Sequence, residues 1–198
     1  MQIIQCVQGS EEWLKARLGL PTASCFNKIV KVNGSPSDQA KKYGYRLAGQ
    51  KVSGVVDYSY QSQAMLNGIQ LESEARRVYS EINDVYVEEV GLCIHDNGKS
   101  GCSPDGLVLD NGGLEIKCPS LETHVEYLVN DRLPTVYFQQ VQGSLYVTGR
   151  DYWDFMSYCP GIKPLIIRVY RDSLFIDKLD KAIDRFDQCI QEYIKKIT

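Results

Sequence analysis

The chain has 198 residues and a formal net charge of −3 at pH 7, with 43% hydrophobic and 24% charged residues. This composition is ordinary for a globular protein with one substantial core, and it is not that of a general nucleic-acid coat protein. It does not exclude a nuclease, because a bound metal and a local basic channel can attract DNA to an acidic protein. No apolar run approaches a membrane span, and the first residues lack a signal-peptide pattern. We therefore expect one soluble, cytoplasmic domain over residues 1–198 with no membrane partner.

Seven cysteines are scattered along the sequence, and none belongs to a CxxC pair. An odd number without a spacing pattern argues against a disulfide framework and against a structural zinc site. We expect reduced and mostly buried thiols. Cys102 and Cys118 flank the candidate site described below, but thiolates are poor ligands for Mg²⁺, so packing is their expected role.

The first predicted helix begins after Ser10, which suits an N-cap because two glutamates follow it, and this helix carries Arg17. A Gly-Leu-Pro break occupies residues 19–21, and Thr22 is then expected to cap a second helix that carries Ser24. A guanidinium and a hydroxyl beside a helix N-terminus form a natural phosphate pocket. A surface arginine and an ordinary helical serine fit the same pattern.

Two longer helices are predicted at residues 41–54 and 63–82. Glu72 falls within the second helix, where it either points towards a metal cluster or forms an ordinary exposed ion pair. The buried side of that helix is expected to contain its periodic apolar residues, which are Leu66, Ile69, Ala75, Val78, Tyr79 and Ile82.

A β-hairpin is predicted at residues 102–120, preceded by a strand over residues 85–95. Asp105 lies in the first apolar run of the hairpin, and the Asp-Asn-Gly-Gly sequence at 110–113 supplies a turn that tolerates positive φ. The second run, at 114–118, completes three consecutive strands.

Regular alternation along this hairpin would bring its charged residues together. Glu115 and Lys117 then share one face, and Ser103 lies on the same strand face as Asp105. Two carboxylates suit a hard cation such as Mg²⁺, which uses few protein ligands plus the phosphates of its substrate. A lysine beside them could orient or activate a metal-bound water for phosphodiester hydrolysis. A surface hairpin with an ion pair is the simpler alternative, but a charge in an apolar strand is costly without a partner.

The remaining elements are predicted as helices at 120–130 and 134–147, strands at 151–159 and 165–170, and an amphipathic helix at 173–197. The second of these helices carries Gln140 among several amides, which either hold a water or phosphate against the metal site or face solvent. Helices on both sides of a run of strands predict an α/β fold rather than a helical bundle.

Five segments carry a resemblance that is specific because they occur in order and with similar spacing. They are Trp13–Ser24 (WLKARLGLPTAS), Asn67–Ala75 (NGIQLESEA), Cys102–Leu107 (CSPDGL), Leu114–Pro119 (LEIKCP) and Gln140–Thr148 (QVQGSLYVT). Together they resemble the phage lambda exonuclease type of viral alkaline exonuclease, within the PD-(D/E)xK nuclease superfamily.

This resemblance implies a restriction-endonuclease-like α/β fold with a central mixed β-sheet flanked by helices on both sides. It implies a Mg²⁺-dependent exonuclease, in which Mn²⁺ can substitute, that digests the 5′-ended strand of linear double-stranded DNA. The 3′ overhangs would serve recombination by single-strand annealing. The resemblance also implies a homotrimeric ring, a phage single-strand annealing protein as partner, and a phage or prophage origin in the cytoplasm of a bacterial host.

Two groups of site residues follow from the same resemblance. The implied catalytic group is Glu72, Asp105, Glu115, Lys117 and Gln140. The group implied to bind the terminal 5′-phosphate and the DNA is Trp13, Arg17, Ser24 and Ser103. Asp105 and Glu115 are the implied metal ligands, together with the carbonyl of Ile116. Lys117 is the implied residue that positions or activates the attacking water.

Two alternatives stay open at this point. Gln142 and Tyr146 fit a QxxxY pattern of RecB-like and Cas4-like nucleases, whose end or strand preference differs. Cas4-like proteins carry a cysteine trio near the C-terminus, whereas Cys159 and Cys189 stand alone here. The second alternative is a non-catalytic scaffold that binds DNA ends, although such a protein has no need of the full charged set.

Overall fold

The computed structural model describes residues 1–55 and 63–198, and within residues 63–69 it describes the backbone alone. The first part contains β1 (Gln2–Ile4), α1 (Glu11–Ala16), a 3₁₀ helix (Ala23–Lys28), α2 (Ala40–Ser53) and α3 (Gln63–Asn83). The middle contains β2 (Val87–Glu88), β3 (Leu92–Ile94), β4 (Gly101–Cys102), β5 (Gly106–Val108) and β6 (Gly112–Lys117). The last part contains α4 (Leu121–Asn130), a 3₁₀ helix (Thr135–Tyr137), α5 (Phe138–Thr148), β7 (Tyr152–Ser157), β8 (Leu165–Tyr170) and α6 (Ser173–Ile197).

Two β-sheets form from the strands of the described ranges. The larger has the order β2-β5-β6-β7-β8, and it is mixed because β6 and β7 run parallel while the other pairs run antiparallel. The smaller has the order β1-β3-β4 and is antiparallel. The predicted mixed sheet is confirmed. The single strand predicted over residues 85–95 is wrong, because β2 pairs in the larger sheet and β3 pairs in the smaller one.

The first strand of the predicted hairpin is interrupted. β4 ends at Cys102 in the smaller sheet, and β5 begins at Gly106 in the larger sheet. Ser103 and Asp105 therefore lie in the connection between the sheets, and the expectation that they share a strand face is wrong. Pro104 fits this break, because a proline cannot donate a ladder hydrogen bond.

The hairpin turn is also displaced from its predicted position. Val108 lies opposite Gly112, so residues 109–111 form the turn, and Leu109 adopts φ 49°. Gly113 belongs to β6, where glycine is needed for a close approach. A Cβ atom there would lie 2.2 Å from the Trp153 ring on the neighbouring strand.

Helices cover both faces of the larger sheet, as predicted. On one face, Ala75 and Tyr79 of α3 pack in a cluster with Leu114 and Ile116 of β6. On the other face, α5 and α6 contribute to a second cluster around Trp153 of β7. The buried side of α6 has helical spacing, as expected for an amphipathic helix, and contains Phe175, Ile176, Leu179, Ile183, Phe186 and Ile190.

Helix ends show which local predictions hold. Ser10 caps α1 through its hydroxyl group, as predicted, and Ser120 caps α4 in the same way. The helix after Thr22 is a 3₁₀ helix, and Thr22 makes no side-chain capping bond. Ile82, predicted to be buried, is 55% exposed. The predictions for Leu66 and Ile69 lie outside the described side chains.

None of the helices in the described ranges is both long enough and apolar enough to cross a membrane. All seven cysteines lie within those ranges and are free thiols. Cys93 and Cys102 are buried, whereas Cys189 is exposed and the other four are half-buried. The expectation of mostly buried thiols is therefore wrong for this chain.

Candidate active site

Glu115 and Lys117 lie on one face of β6, as their spacing predicts. Glu115 is 2% exposed, and the Lys117 Nζ donates a short hydrogen bond to its Oε1. Gln140 reaches the same oxygen from α5, with its Nε2 2.5 Å from Glu115 Oε1. The Lys117 ammonium also lies 5.5 Å from the centroid of the Tyr137 ring. One buried carboxylate is thus held from two elements.

Asp105 lies just before β5 and reaches β6 beyond Leu114, the last residue of β6 with which β5 pairs. Its backbone N–H donates to Leu114 O at 3.1 Å, and its Oδ2 accepts from the Ile116 N–H at 2.6 Å. The N–H and C=O of one strand residue point towards the same neighbour. The carbonyl of Ile116 is therefore directed to the side of β6 on which Asp105 lies.

Glu72 approaches the same edge from α3. It pairs with Arg76 one turn later, with 2.6 Å between Glu72 Oε1 and Arg76 Nη2. Arg76 also donates through Nε to the backbone carbonyl of Asp105 at 2.7 Å. Glu72 is thus an ion-pairing residue and a neighbour of Asp105 at the same time. The carboxylate cluster, as we call this group, comprises Glu72, Asp105, Glu115, Lys117 and Gln140.

Burial disfavours the charged forms of the three acids in the carboxylate cluster. Burial raises the pKa of Glu115 to about 7 despite the opposing effect of Lys117. Burial raises the pKa of Glu72 to about 7, and the nearby Asp105 adds to the rise. Burial also raises the pKa of Asp105. Burial lowers the pKa of Lys117, but Glu115 and Asp105 outweigh it and hold that pKa above its usual value. A bound cation would compensate these carboxylates.

The donors present suit a small, hard divalent cation. In the part of the chain that the structure describes, no three His, Cys, Asp or Glu side chains are grouped closely enough to hold a metal by themselves. Asp105 and Glu115, with the carbonyl of Ile116, supply fewer oxygen ligands than a closed site needs. Mg²⁺ commonly binds to one or two carboxylates and completes its shell with waters and substrate phosphates. The residues therefore fit Mg²⁺ better than a metal that demands a full protein cage.

A second polar group surrounds Trp13 on α1. The Trp13 indole N–H donates to Ser103 Oγ at 2.9 Å and to Gly91 O at 3.0 Å. Ser103 thereby uses its oxygen as an acceptor, and its own O–H remains a potential donor to a ligand. These bonds tie α1 to the connection between the two sheets.

Arg17 extends this second group towards two hydroxyls. Its guanidinium lies 3.9 Å from the centroid of the Trp13 ring, and its Nη2 donates to Thr22 Oγ1 at 3.0 Å. Thr22 Oγ1 lies 3.4 Å from Ser24 Oγ. Burial lowers the pKa of Arg17, so an anion would compensate a cation that is partly removed from water. The hydroxyl pocket, as we call this group, comprises Trp13, Arg17, Thr22, Ser24 and Ser103.

The two groups are adjacent. Pro104 alone separates Ser103 of the hydroxyl pocket from Asp105 of the carboxylate cluster. A cleft of about 770 Å³ is lined by residues of both, including Trp13, Glu72 and Asp105. The structure therefore places the residues implied for the site in two neighbouring groups, with Gln140 in the carboxylate cluster and Ser24 in the hydroxyl pocket.

The QxxxY residues lie in other surroundings. Gln142 donates to Tyr170 O at 2.8 Å and accepts from the Asp172 N–H at 2.9 Å. Tyr146 donates to Asp180 at 2.7 Å and stacks on His95. Both side chains fasten α5 to the start of α6 and its surroundings, so the QxxxY pattern has a structural explanation in this chain.

Two residues of the site were missed at the sequence level. Thr22 was predicted as a helix cap, but its hydroxyl accepts from Arg17. Arg76 was not singled out, although its position four residues after Glu72 is a spacing at which helical side chains meet. This spacing in the sequence could have indicated that Arg76 pairs with Glu72.

Comparison with known proteins gives a consistent result. The sequence matches the YqaJ-like viral recombinase domain over residues 12–151, a range that includes both groups. Uncharacterized protein R354 of Acanthamoeba polyphaga mimivirus is 31% identical over 169 residues, which are 78% of this chain and 30% of that protein. The chain thus spans less than a third of the length of that curated relative.

Solved structures extend the likeness to nearly the whole chain. Structures of LHK-Exo, an alkaline exonuclease from Laribacter hongkongensis, superpose with a TM-score of 0.86 and 32% identity, covering 95% of this chain and 96% of that one. One of them is a complex with dAMP. A phage related exonuclease from Haemophilus somnus 129PT gives a TM-score of 0.69 at 16% identity, covering 90% of this chain and 96% of that one. At 16% identity, the likeness to the Haemophilus somnus exonuclease shows the fold alone.

Proposed function

The chain belongs to the YqaJ-like viral recombinase family, and on this premise we propose that it is a Mg²⁺-dependent exonuclease that digests the 5′-ended strand of linear double-stranded DNA. The observation that carries the proposal is the junction at Ser103 and Asp105, where the hydroxyl pocket and the carboxylate cluster meet. The likeness to an alkaline exonuclease over nearly the whole chain supports a nuclease.

The carboxylate cluster is the proposed cutting group. Asp105, Glu115 and the carbonyl of Ile116 would hold Mg²⁺, and Mn²⁺ would bind to the same hard oxygen donors. A metal ion held by these residues would lower the pKa of a water and stabilise charge on the phosphate. Lys117 positions the attacking water, and its bond to Glu115 keeps the ammonium at the site. Gln140 holds the same carboxylate from α5.

The hydroxyl pocket is the proposed receptor for the 5′-phosphate. An arginine recognises a terminal phosphate by paired, charge-assisted hydrogen bonds, and hydroxyl groups complete the set of donors. Arg17 is prepared for this role because Trp13 and Thr22 hold its guanidinium in place. An internal phosphodiester has fewer free oxygens, so this pocket would favour DNA ends.

The proposed arrangement would allow repeated cutting in one direction. Water attacks the phosphorus of the first phosphodiester, the bond to the 3′ oxygen of the terminal nucleotide breaks, and that oxygen leaves with a proton. The shortened strand retains a 5′-phosphate. The hydroxyl pocket can therefore bind to each new end in the same way.

We further propose the biological setting that the resemblance implies. The 3′ overhangs would be substrates for a phage single-strand annealing protein, and the enzyme would act as a homotrimeric ring in the cytoplasm of a bacterial host. The family's description as viral recombinases and the mimiviral relative support a role in viral recombination. Size-exclusion chromatography with light scattering measures the oligomer directly.

Metal dependence separates this enzyme from a DNA-end-binding scaffold. We expect nucleotide release from linear duplex DNA only with added Mg²⁺ or Mn²⁺, and none after chelation with EDTA. Glu115→Gln should bind to duplex ends, measured by fluorescence anisotropy, while it releases almost no nucleotides. DNA binding by the wild type with no release in either metal would establish the scaffold instead.

A further inference from the structure

Arg76 joins three separate parts of the site through its guanidinium. Its Nε donates to the backbone carbonyl of Asp105 at 2.7 Å, and its Nη2 pairs with Glu72 at 2.6 Å. Its Nη1 pairs with Glu89, beyond β2, at 2.7 Å. The side chain of Arg76 is 13% exposed and that of Glu72 is 31% exposed, so their bond forms in a partly desolvated setting where charge-assisted bonds are strong, whereas Glu89 is 70% exposed. Arg76 thus joins α3 to the segment between β4 and β5.

Asp105 needs this support because it lies outside a strand. The larger sheet fixes its backbone N–H and its Oδ2 through Leu114 and Ile116. Arg76 of α3 holds its backbone carbonyl. Gln8 holds the preceding peptide, because its Nε2 donates to that peptide's carbonyl at 2.7 Å. Without Arg76, the carbonyl of Asp105 would lose this donor, and the residue would be positioned from β6 and Gln8.

The contacts of Arg76 indicate a positioning role rather than substrate binding. Each of its three nitrogens already donates to a protein acceptor. A guanidinium committed to two carboxylates and a carbonyl offers a phosphate few free donors in the required fork geometry. Arg17, by contrast, has its Nη2 bonded to a hydroxyl and its flat face on an indole.

We propose that Arg76 is a positioning residue, which sets the Asp105 peptide and the Glu72 carboxylate relative to each other and so determines how tightly the site binds a divalent cation. This inference deepens the proposed function and rests on it only for the role of the metal in hydrolysis. Residues that orient metal ligands typically change metal affinity by about 10- to 100-fold when removed.

Arg77 provides a matched control on the same helix. It is the next residue, and it pairs with Glu81 four residues later, with side chains that are 66% and 62% exposed. An exposed pair of this kind contributes little to stability. Replacing it removes one arginine and one ion pair of α3 without touching the site.

The test measures Mn²⁺ binding without DNA, by electron paramagnetic resonance, for the wild type, Arg76→Ala, Arg76→Lys and Arg77→Ala. We expect the Kd for Mn²⁺ to rise about tenfold in Arg76→Ala, to rise less in Arg76→Lys, and to match the wild type in Arg77→Ala. In turnover assays, Arg76→Ala should need correspondingly more Mg²⁺ for half-maximal rate, with an unchanged KM for DNA. Thermal unfolding identifies the variants that are folded at the assay temperature. If Arg76→Ala is unfolded there, the comparison uses Arg76→Lys.

Unchanged Mn²⁺ affinity in the folded Arg76 variants, or an equal loss in Arg77→Ala, would overturn the inference. A raised KM for DNA with unchanged metal affinity would also overturn it, because Arg76 would then contact the substrate. Failure of the proposed function would give a different result. The Mn²⁺ affinities of the wild type and the variants would then follow the expected order, but the wild type would release no nucleotides.

Discussion

The carboxylate cluster and the hydroxyl pocket are neighbours with opposite electrostatic character. The cluster gathers residues from α3, the inter-sheet connection, β6 and α5, and its buried acids have raised pKa values. The pocket is built mostly from residues 13–24 and centres on one half-buried arginine. The first therefore favours a cation and the second an anion. In the proposed function, Mg²⁺ would compensate the carboxylate cluster and the terminal 5′-phosphate of DNA would compensate the hydroxyl pocket.

The carboxylate cluster and the hydroxyl pocket are built from different parts of the fold, so different mutations should disrupt them. The carboxylate cluster depends on sheet pairing and on helices from both faces, so its geometry is a property of the whole fold. The hydroxyl pocket depends on α1, the following 3₁₀ helix and one bond to Ser103. Variants should therefore separate cutting from end recognition.

The largest expected effect comes from Lys117→Gln. The glutamine can still donate to Glu115, but it carries no charge with which to position or activate a water. We expect turnover to fall by roughly 10²- to 10⁴-fold on all DNA ends, while anisotropy shows nearly unchanged binding to DNA. Lys99→Gln is the matched control, because it neutralises a lysine that pairs with Asp184 instead of a cluster residue. Digestion at the wild-type rate by Lys117→Gln would remove this lysine from the mechanism.

Arg17→Ala should give the next largest effect, and only on one type of end. Loss of a charge-assisted hydrogen bond costs about 1.5–3 kcal/mol, which corresponds to roughly 10- to 100-fold in kcat/KM on 5′-phosphorylated duplex. On 5′-hydroxyl duplex we expect little change. Lys15→Ala removes a charge from the same helix, at an exposed pair with Glu11, and should show no such selectivity. Equal losses on both ends in Arg17→Ala would argue against the hydroxyl pocket as a phosphate receptor.

Gly113→Ala should have the smallest effect, and mainly on stability. The added Cβ would lie 2.2 Å from the buried Trp153 ring, so β6 and β7 must shift. We expect a loss of about 1–3 kcal/mol in the free energy of unfolding, measured by urea denaturation. Gly49→Ala in α2 is the control, because a Cβ there has nothing within 4 Å and should stabilise the helix slightly. Below its unfolding transition, Gly113→Ala should lose activity equally on both types of end, because the cluster lies on β6. If Gly113→Ala has the same free energy of unfolding as the wild type, the Trp153 ring must be able to move aside.

Local patterns predicted the elements whose bounds follow from their own hydrophobic period. The apolar spacing of α6 gave the bounds Ser173–Ile197 in full, and β8 was predicted over its whole length. The alternation of Glu115 and Lys117 was sufficient to place both on one face. Each of these results depends on the helical or strand period and not on the partner element.

Tertiary pairing explains what the sequence did not reveal. Residues 85–95 are rich in strand formers throughout, and nothing local states that β2 and β3 join different sheets. Pro104 was a local signal for the break before Asp105, because proline disfavours a strand interior. The resemblance implied site roles for Ser103 and Asp105, but the shared strand face inferred for them is wrong, because both lie between β4 and β5. Thr22 acquires its role from Arg17, which no local preference of threonine predicts.

The most direct test follows nucleotide release from end-labelled linear duplexes with 5′-phosphate or 5′-hydroxyl ends, and from closed-circular DNA, with and without Mg²⁺. We predict release from the 5′-ended strand, faster with the phosphate, with no release from closed circles and none without Mg²⁺. Digestion of closed circles as fast as linear DNA, or release that begins at the 3′ end, would contradict the proposed 5′ exonuclease.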